Sequence, residues 1–200
     1  GEISMRLACI ALAALVALVA PASAQDARDR TFAPGRVGAI VKGKTRPLDL
    51  ARIFGARNVQ RATMDEPGGG EPHPGAYIFK GTPSALTVHF TEDGKSIRYV
   101  AVLGPDWRSK EGLRVGTTAA ELERLNGGPF KFYGFGFDYG GQVFADGAAL
   151  APYSIFVRTG GDDAAAIKAL TQPEVDISSQ HPAVPRAGLE VSFIQVNLGP

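Results

Sequence analysis

One short motif occurs twice in this chain, and it constrains the fold more than any other feature of the 200 residues. The first copy reads Gly43-Lys44-Thr45-Arg46-Pro47-Leu48-Asp49-Leu50-Ala51-Arg52-Ile53-Phe54-Gly55. The second reads Gly116-Thr117-Thr118-Ala119-Ala120-Glu121-Leu122-Glu123-Arg124-Leu125-Asn126-Gly127. Each opens Gly-x-Thr, runs through a short amphipathic stretch and closes on glycine. Leu50/Ile53 and Leu122/Leu125 lie three apart, so each pair shares one helical face. Thr45 and Thr118 are expected to cap the first turn, since a hydroxyl can satisfy one of its unbonded amides. Pro47 is tolerated that early, and Gly55 and Gly127 suit the left-handed residue that ends a helix.

Strand patterns follow each copy. After the first they cover Asn58–Met64, Ala76–Lys80, Leu86–Phe90 and Ser96–Leu103, the last two joined through Asp93-Gly94, a strong hairpin turn. After the second they cover Pro129–Phe137, Gln142–Phe144, Tyr153–Arg158 and Leu189–Asn197. A further helix is expected at Asp162–Leu170, capped by Asp162. Asp65–Gly75 and Gln172–Gly188, rich in Pro or Gly, read as irregular loops. The expected fold class is therefore α+β: two tandem repeats, each a short helical segment followed by about four antiparallel strands. The units are 25–105 and 106–200, packed as one compact body.

Residues 1–24 read differently. Met5-Arg6 leads into an apolar run from Leu7 to Ala20, and Ala22-x-Ala24 supplies the small residues a signal peptidase accepts. That run falls short of the ~20 residues a spanning helix needs, so a cleaved secretory signal and no stable membrane anchor are expected, with Gly1 to Ser4 as upstream residues. Cleavage after Ala24 would place the protein in the periplasm or outside the cell. Cys9, the only cysteine, lies inside this segment, ahead of most of the apolar run rather than after it as lipidation requires. The remainder then has no disulfide, thiolate ligand or cysteine nucleophile. From Arg28 to Arg61 nine basic residues face two acidic ones, whereas from Ala62 onward 16 acidic residues outnumber 11 basic. Such asymmetry fits a solvated face or a basic surface for an anionic envelope component.

The Gly-x-Thr…Leu…Gly helix followed by four strands, in tandem, resembles the repeat unit of the beta-lactamase-inhibitor-protein-like fold, to which small outer-membrane assembly lipoproteins of the SmpA/OmlA type are related. The stretch Gly112-Leu113-Arg114-Val115-Gly116-Thr117 through Glu121, Leu125, Gly127-Gly128-Pro129-Phe130 and Gly134 to Gly141 is also similar to a set of uncharacterised exported bacterial proteins. The resemblance implies a binder's fold. It does not carry over lactamase inhibition or lipoprotein assembly, since the disulfides of the one and the lipidated cysteine of the other are missing.

The candidate chemistry is sparse. Gly38 to Thr45 matches the letters of a phosphate-binding loop, but Arg30–Val37 is a poor buried strand to precede it, and Ile40 and Val41 are bulky where backbone should wrap phosphate. Gly134-Phe135-Gly136 does not continue into a helix, so it is no dinucleotide fingerprint. His73, His89 and His181 show no metal-ligand spacing, no metal or other cofactor is expected, and no aromatic-and-basic strand suggests nucleic acid.

Tyr133, Phe135, Phe137 and Tyr139, spaced by two, would share one face of an uninterrupted strand, with Phe130 and Phe132 on the other. Trp107 and Arg108, in the connection between the repeats, are types that dominate interfaces, although a Trp plugging the join is the plainer reading. The expected function is a binding or interaction module for an envelope protein, without catalysis, through Trp107, Arg108, Tyr133, Asp138 and Tyr139. Two alternatives stand beside it. One is an envelope-directed hydrolase using Glu71, His73 and Asp138, which needs the 65–75 loop to close on Asp138. The other is a small-ligand carrier, which needs a cavity. The sequence indicates no oligomeric state.

Overall fold

The computed structural model describes residues 28–66, 70–173 and 175–199, so the secretory segment and its cleavage site lie outside the described residues. The fold is mixed α+β, mostly sheet with few short helices. Three two-residue strands, β1 (Phe32–Ala33), β2 (Arg36–Val37) and β3 (Ile40–Val41), form a small antiparallel sheet, and a 3-10 turn at Pro47–Asp49 leads into α1 (Leu50–Phe54). Strands β4 (Val59–Glu66), β5 (Gly70–Ile78), β6 (Leu86–Phe90) and β7 (Ile97–Val102) then run as consecutive antiparallel neighbours.

After α2 (Ala119–Asn126) come β8 (Lys131–Tyr133), β9 (Val143–Phe144) and β10 (Tyr153–Thr159). The chain continues through α3 (Ala164–Leu170), β11 (Asp176–Ser178), α4 (Ala183–Arg186) and β12 (Leu189–Asn197). The main sheet has the order β10-β12-β7-β6-β5-β4, and a small sheet has the order β11-β8-β9. The bridge of Gln142 to Phe156 connects the β11-β8-β9 sheet to β10. One face of the main sheet holds the core: Ile78, Val88, Val100, Val102, Ile194 and Val196 are fully buried there, and α1, α2 and the three-stranded sheet contribute Leu50, Leu122 and Ile40. Among the described residues no helix is long and apolar enough to cross a membrane.

Local chemistry explains where the elements begin. Thr118 caps α2 through Glu121 N, and the Glu121 carboxylate accepts from Thr118 N at 2.8 Å, a reciprocal pair that satisfies both ends of the first turn. Gly127, left-handed at φ 78°, closes the helix. Thr118→Ala is expected to cost about 1 kcal/mol of stability in urea denaturation, and an unchanged midpoint would show that the cap carries no load.

Thr45 does not cap the first motif. Its hydroxyl accepts from Val41 N at 3.0 Å and donates to Ala39 O at 3.3 Å, tying β3 into a turn, and the position before Pro47 is filled by Arg46, whose N–H donates to Asp49. That hydroxyl is spent on backbone and Ile40 is fully buried, so the Gly38–Thr45 stretch is a turn of the small sheet rather than a phosphate loop. The α3 cap is Asp163, accepting from Ala166 N at 2.9 Å, one residue later than expected.

The 65–75 stretch is not the irregular loop its composition suggests, since Gly70 to Gly75 belong to β5. Pairing of β5 with β6 begins only at Gly75, so Pro72 and Pro74 have a strand neighbour on one side alone, a setting that tolerates a missing N–H. Likewise 172–188 contains β11 and α4.

Candidate functional site

The aromatic segment departs from the straight strand expected at Pro129–Phe137. β8 ends at Tyr133, and the next residue must be glycine, because any Cβ at Gly134 would lie 2.2 Å from the backbone carbonyl oxygen of Gln172. Gly134 N donates instead to Val175 O and Phe135 N to Leu170 O. The chain then turns back, and Gly141 N closes the loop onto Tyr133 O at 2.8 Å. Phe132 is fully buried and Phe135 packs partly buried against the core.

The outward side of this small sheet is lined with rings. Phe144 of β9 meets Tyr133 at 4.6 Å between centroids, Tyr133 meets Phe137 at 5.5 Å, and Phe137 meets Tyr139 at 6.5 Å. Phe144 lies across from Lys131, and Phe132 from the buried Val143, so Phe144, Lys131 and Tyr133 share the face turned from the core. Tyr139 is 44% exposed and Phe144 40%. Asp138 is exposed beside Tyr139, and Lys131 and Asp176 form an exposed pair at 3.9 Å along the rim. Three of the five expected contact residues, Tyr133, Asp138 and Tyr139, are thus brought together. Phe137 and Phe144 complete the patch; Phe144 was legible only as a strand residue, because its outward direction depends on register.

Trp107 is elsewhere and offers no surface. It is fully buried (0% exposed), its indole N–H donates to Ser84 O at 2.9 Å, and the Arg30 guanidinium lies 5.0 Å over its ring. It holds the connection between β7 and α2 against the N-terminal segment, as a plug rather than a contact. Arg108 is exposed, and its backbone pairs with that segment through Arg108 N to Arg30 O and Phe32 N to Arg108 O, both 3.0 Å. No contact among the described residues joins it to the aromatic rings.

The residues of the hydrolase alternative are not assembled. Glu71 is exposed on β5, His73 is 3% exposed on the same strand, and Asp138 lies beyond β10. The four strand spacings from β5 to β10 alone amount to about 19 Å, far beyond one bridging water. His73 instead meets His89, with Nε2 and Nδ1 2.8 Å apart, while Thr87 Oγ1 lies 3.0 Å from His89 Nε2 and the Tyr99 ring stacks on His89 at 4.1 Å. Burial, followed by the charges of His73 and Arg98, pushes the His89 imidazole down to about 4. Among the described residues no group of three or more His, Asp or Glu side chains converges as a metal site would require.

No family model and no curated protein matches the sequence. Among solved structures, the chain is similar to the uncharacterized protein YfeY from Escherichia coli, with a TM-score of 0.48 and 16% identity over 84% of this chain and 97% of that one.

Proposed function

We propose that this chain is an exported binding module whose outward aromatic patch holds a protein partner in the cell envelope. The observation that carries the reading is the concentration of exposed apolar groups. Of the five large hydrophobic side chains most exposed among the described residues, Tyr139 and Phe144 are joined through Tyr133 and Phe137 into one run of rings on the outward side of the three-stranded sheet β11-β8-β9. Clustered exposed apolar surface with a charged rim marks an interaction site, and tyrosine is a frequent hot-spot residue. The rings stand at 87°, 69° and 66° to one another, so they present knobs and crevices rather than the flat platform a sugar ring stacks on. That relief suits the apolar side chains of a protein loop.

The tandem reading belongs to the same proposal. It is supported by the order of strands: with the Gln142–Phe156 bridge counted, β4-β5-β6-β7 and β8-β9-β10-β12 are each four neighbouring antiparallel strands preceded by a helix, and the last strand of one pairs with the last of the other. Each Gly-x-Thr opening also lies beside the beginning of its own fourth strand, Thr45 lining one cleft with Ser96 and Ile97, and Thr118 bridged to Glu190. This arrangement is in keeping with the resemblance to beta-lactamase-inhibitor-protein-like repeats and with a boundary near residue 105. A periplasmic or secreted setting follows from the secretory pattern of residues 1–24.

The test is retention of a cross-linked envelope partner by the tagged protein. Tyr139→Ala with Phe144→Ala is expected to reduce retention about tenfold or more while the melting temperature holds, since hot-spot truncations cost about 2 kcal/mol or more. Leu48→Ala, which removes an isolated exposed side chain, is expected to change nothing. Equal retention by all three proteins removes the aromatic patch as the site.

A further inference from the structure

A second site is built where the start of α2, the β11–α4 connection and the first residues of β12 meet. The cavity there has a volume of about 580 Å³, within the range of small-molecule sites. Its walls are mostly apolar and small: Ala119 and Ala120 on the helix, Pro182, Val184 and Pro185 around α4, and Leu189 on β12. Gly160 and Gly161 form another wall, held by hydrogen bonds from their N–H groups to Gly188 O and Ala187 O at 2.9 and 3.0 Å. The cavity is therefore set by backbone contacts that exist without an occupant.

Its charge is one-sided. No lysine or arginine lines it among the described residues, whereas Glu123 and Glu190 both do. Glu190 is already taken, because Arg158 binds its Oε1 at 2.7 Å through Nη2 and at 2.9 Å through Nε. Glu123 is half-buried, and its Oε1 accepts the hydroxyl of the buried Ser179 at 2.5 Å. Ser179 Oγ in turn accepts from Phe130 N at 3.1 Å, which fixes the serine and directs its proton to the carboxylate. A carboxylate can accept about four hydrogen bonds, and among the described residues no cation and no second donor reaches that of Glu123. The positive end of α2 does not invite an anion, because the Glu121 carboxylate already accepts from Thr118 N and the Thr118 hydroxyl.

We propose that this cavity binds an organic cation, an alkylammonium group on an apolar body, with Glu123 as its anionic anchor, Ser179 as the group that positions Glu123, and Leu189, Val184 and the two prolines around its carbon chain. The site is independent of the aromatic patch and does not rest on the reading given for it. The cleft beside the first helical segment has the opposite character, with Lys42, Arg46 and Lys95 around a volume of about 350 Å³, and serves as an internal control.

The experiment is an NMR titration of the isotope-labelled protein with n-pentylammonium, alongside pentan-1-ol and pentanoate as probes of equal length. The amine is expected to shift the amides of Ala119, Ala120, Glu123, Ser179 and His181 to saturation. Glu123→Gln is expected to weaken it about tenfold or more, the scale of a charged hydrogen bond lost from a partly buried site. Ala120→Leu, which fills the mouth from an exposed helix position, is expected to abolish the shifts and decides the matter if Glu123→Gln does not fold. Acetyl-Gly-Lys-Gly-amide distinguishes the source: shifts from it at the same amides point to a lysine side chain, and shifts from the free amine alone point to a small ligand. Silence of both overturns the proposal. So does an alcohol or carboxylate that binds as well as the amine, a Glu123→Gln protein that binds unchanged, or an equal response around Lys42, Arg46 and Lys95.

Discussion

Trp107→Ala is expected to destabilise the protein by about 3–5 kcal/mol. The ring is fully buried and is the largest of the fully buried side chains. It touches several parts of the chain at once. Its N–H holds Ser84 O, its face receives Arg30, and a Cβ added at Gly38 would lie 3.1 Å from its Cζ3. Neighbouring polar contacts depend on the same packing, since Arg30 Nε donates to Ser84 Oγ at 3.0 Å and that hydroxyl donates to Asp106 at 2.5 Å. Truncation leaves a cavity at the junction of the N-terminal segment with the β7–α2 connection and removes the donor to Ser84 O. Urea denaturation at neutral pH reads the effect directly. A loss below about 1 kcal/mol would mean that Trp107 does not act as a plug at this junction.

The second large effect is with pH. His89 titrates near 4 in the folded protein against 6.5 ordinarily, because it is buried on the far side of the main sheet with His73 beside it and the Arg98 charge nearby. The folded state therefore binds this proton less readily than the unfolded chain does. The stability it contributes is complete above about pH 6.5 and is lost as pH falls through 4. That loss amounts to up to about 3 kcal/mol. The groups against it are Thr87 on its own strand, His73 on β5, and Arg98 and Tyr99 on β7. Urea midpoints measured from pH 7.5 to 4 are expected to fall steeply for the wild type and much less for His89→Gln. Parallel profiles would place the acid sensitivity elsewhere.

The parts of the fold that could be read from the sequence are those set by local rules. Thr118, Glu121 and Gly127 specify both ends of α2 within a dozen residues, and Asp93-Gly94 sets the turn between β6 and β7. What escaped depends on partners distant in sequence. Thr45 closes the same Gly-x-Thr opening as Thr118, yet a nearby strand claims its hydroxyl. The turn after Tyr133 is closed by Gly141 N onto Tyr133 O and needs a glycine at 134 where Gln172 approaches, which no spacing in the aromatic segment reveals. His73 and His89 look solitary in the sequence and become neighbours only through the β5–β6 register, which sets Gly75 opposite His89; a shift of one residue would send them to opposite faces. For the proposed binding surface, Tyr133, Asp138 and Tyr139 were legible as an aromatic cluster with a polar tip, whereas burial separated Trp107 from them. The cavity at Glu123 is assembled from four separated segments of small residues and leaves no motif at all.

The most direct measurement is site-specific photo-cross-linking in intact cells, with a photoreactive phenylalanine placed in turn at positions 139, 144 and 48. A binding surface at the aromatic patch predicts one shared protein adduct from positions 139 and 144 and none from position 48. The same adduct pattern from all three, or adducts from position 48 alone, would contradict it.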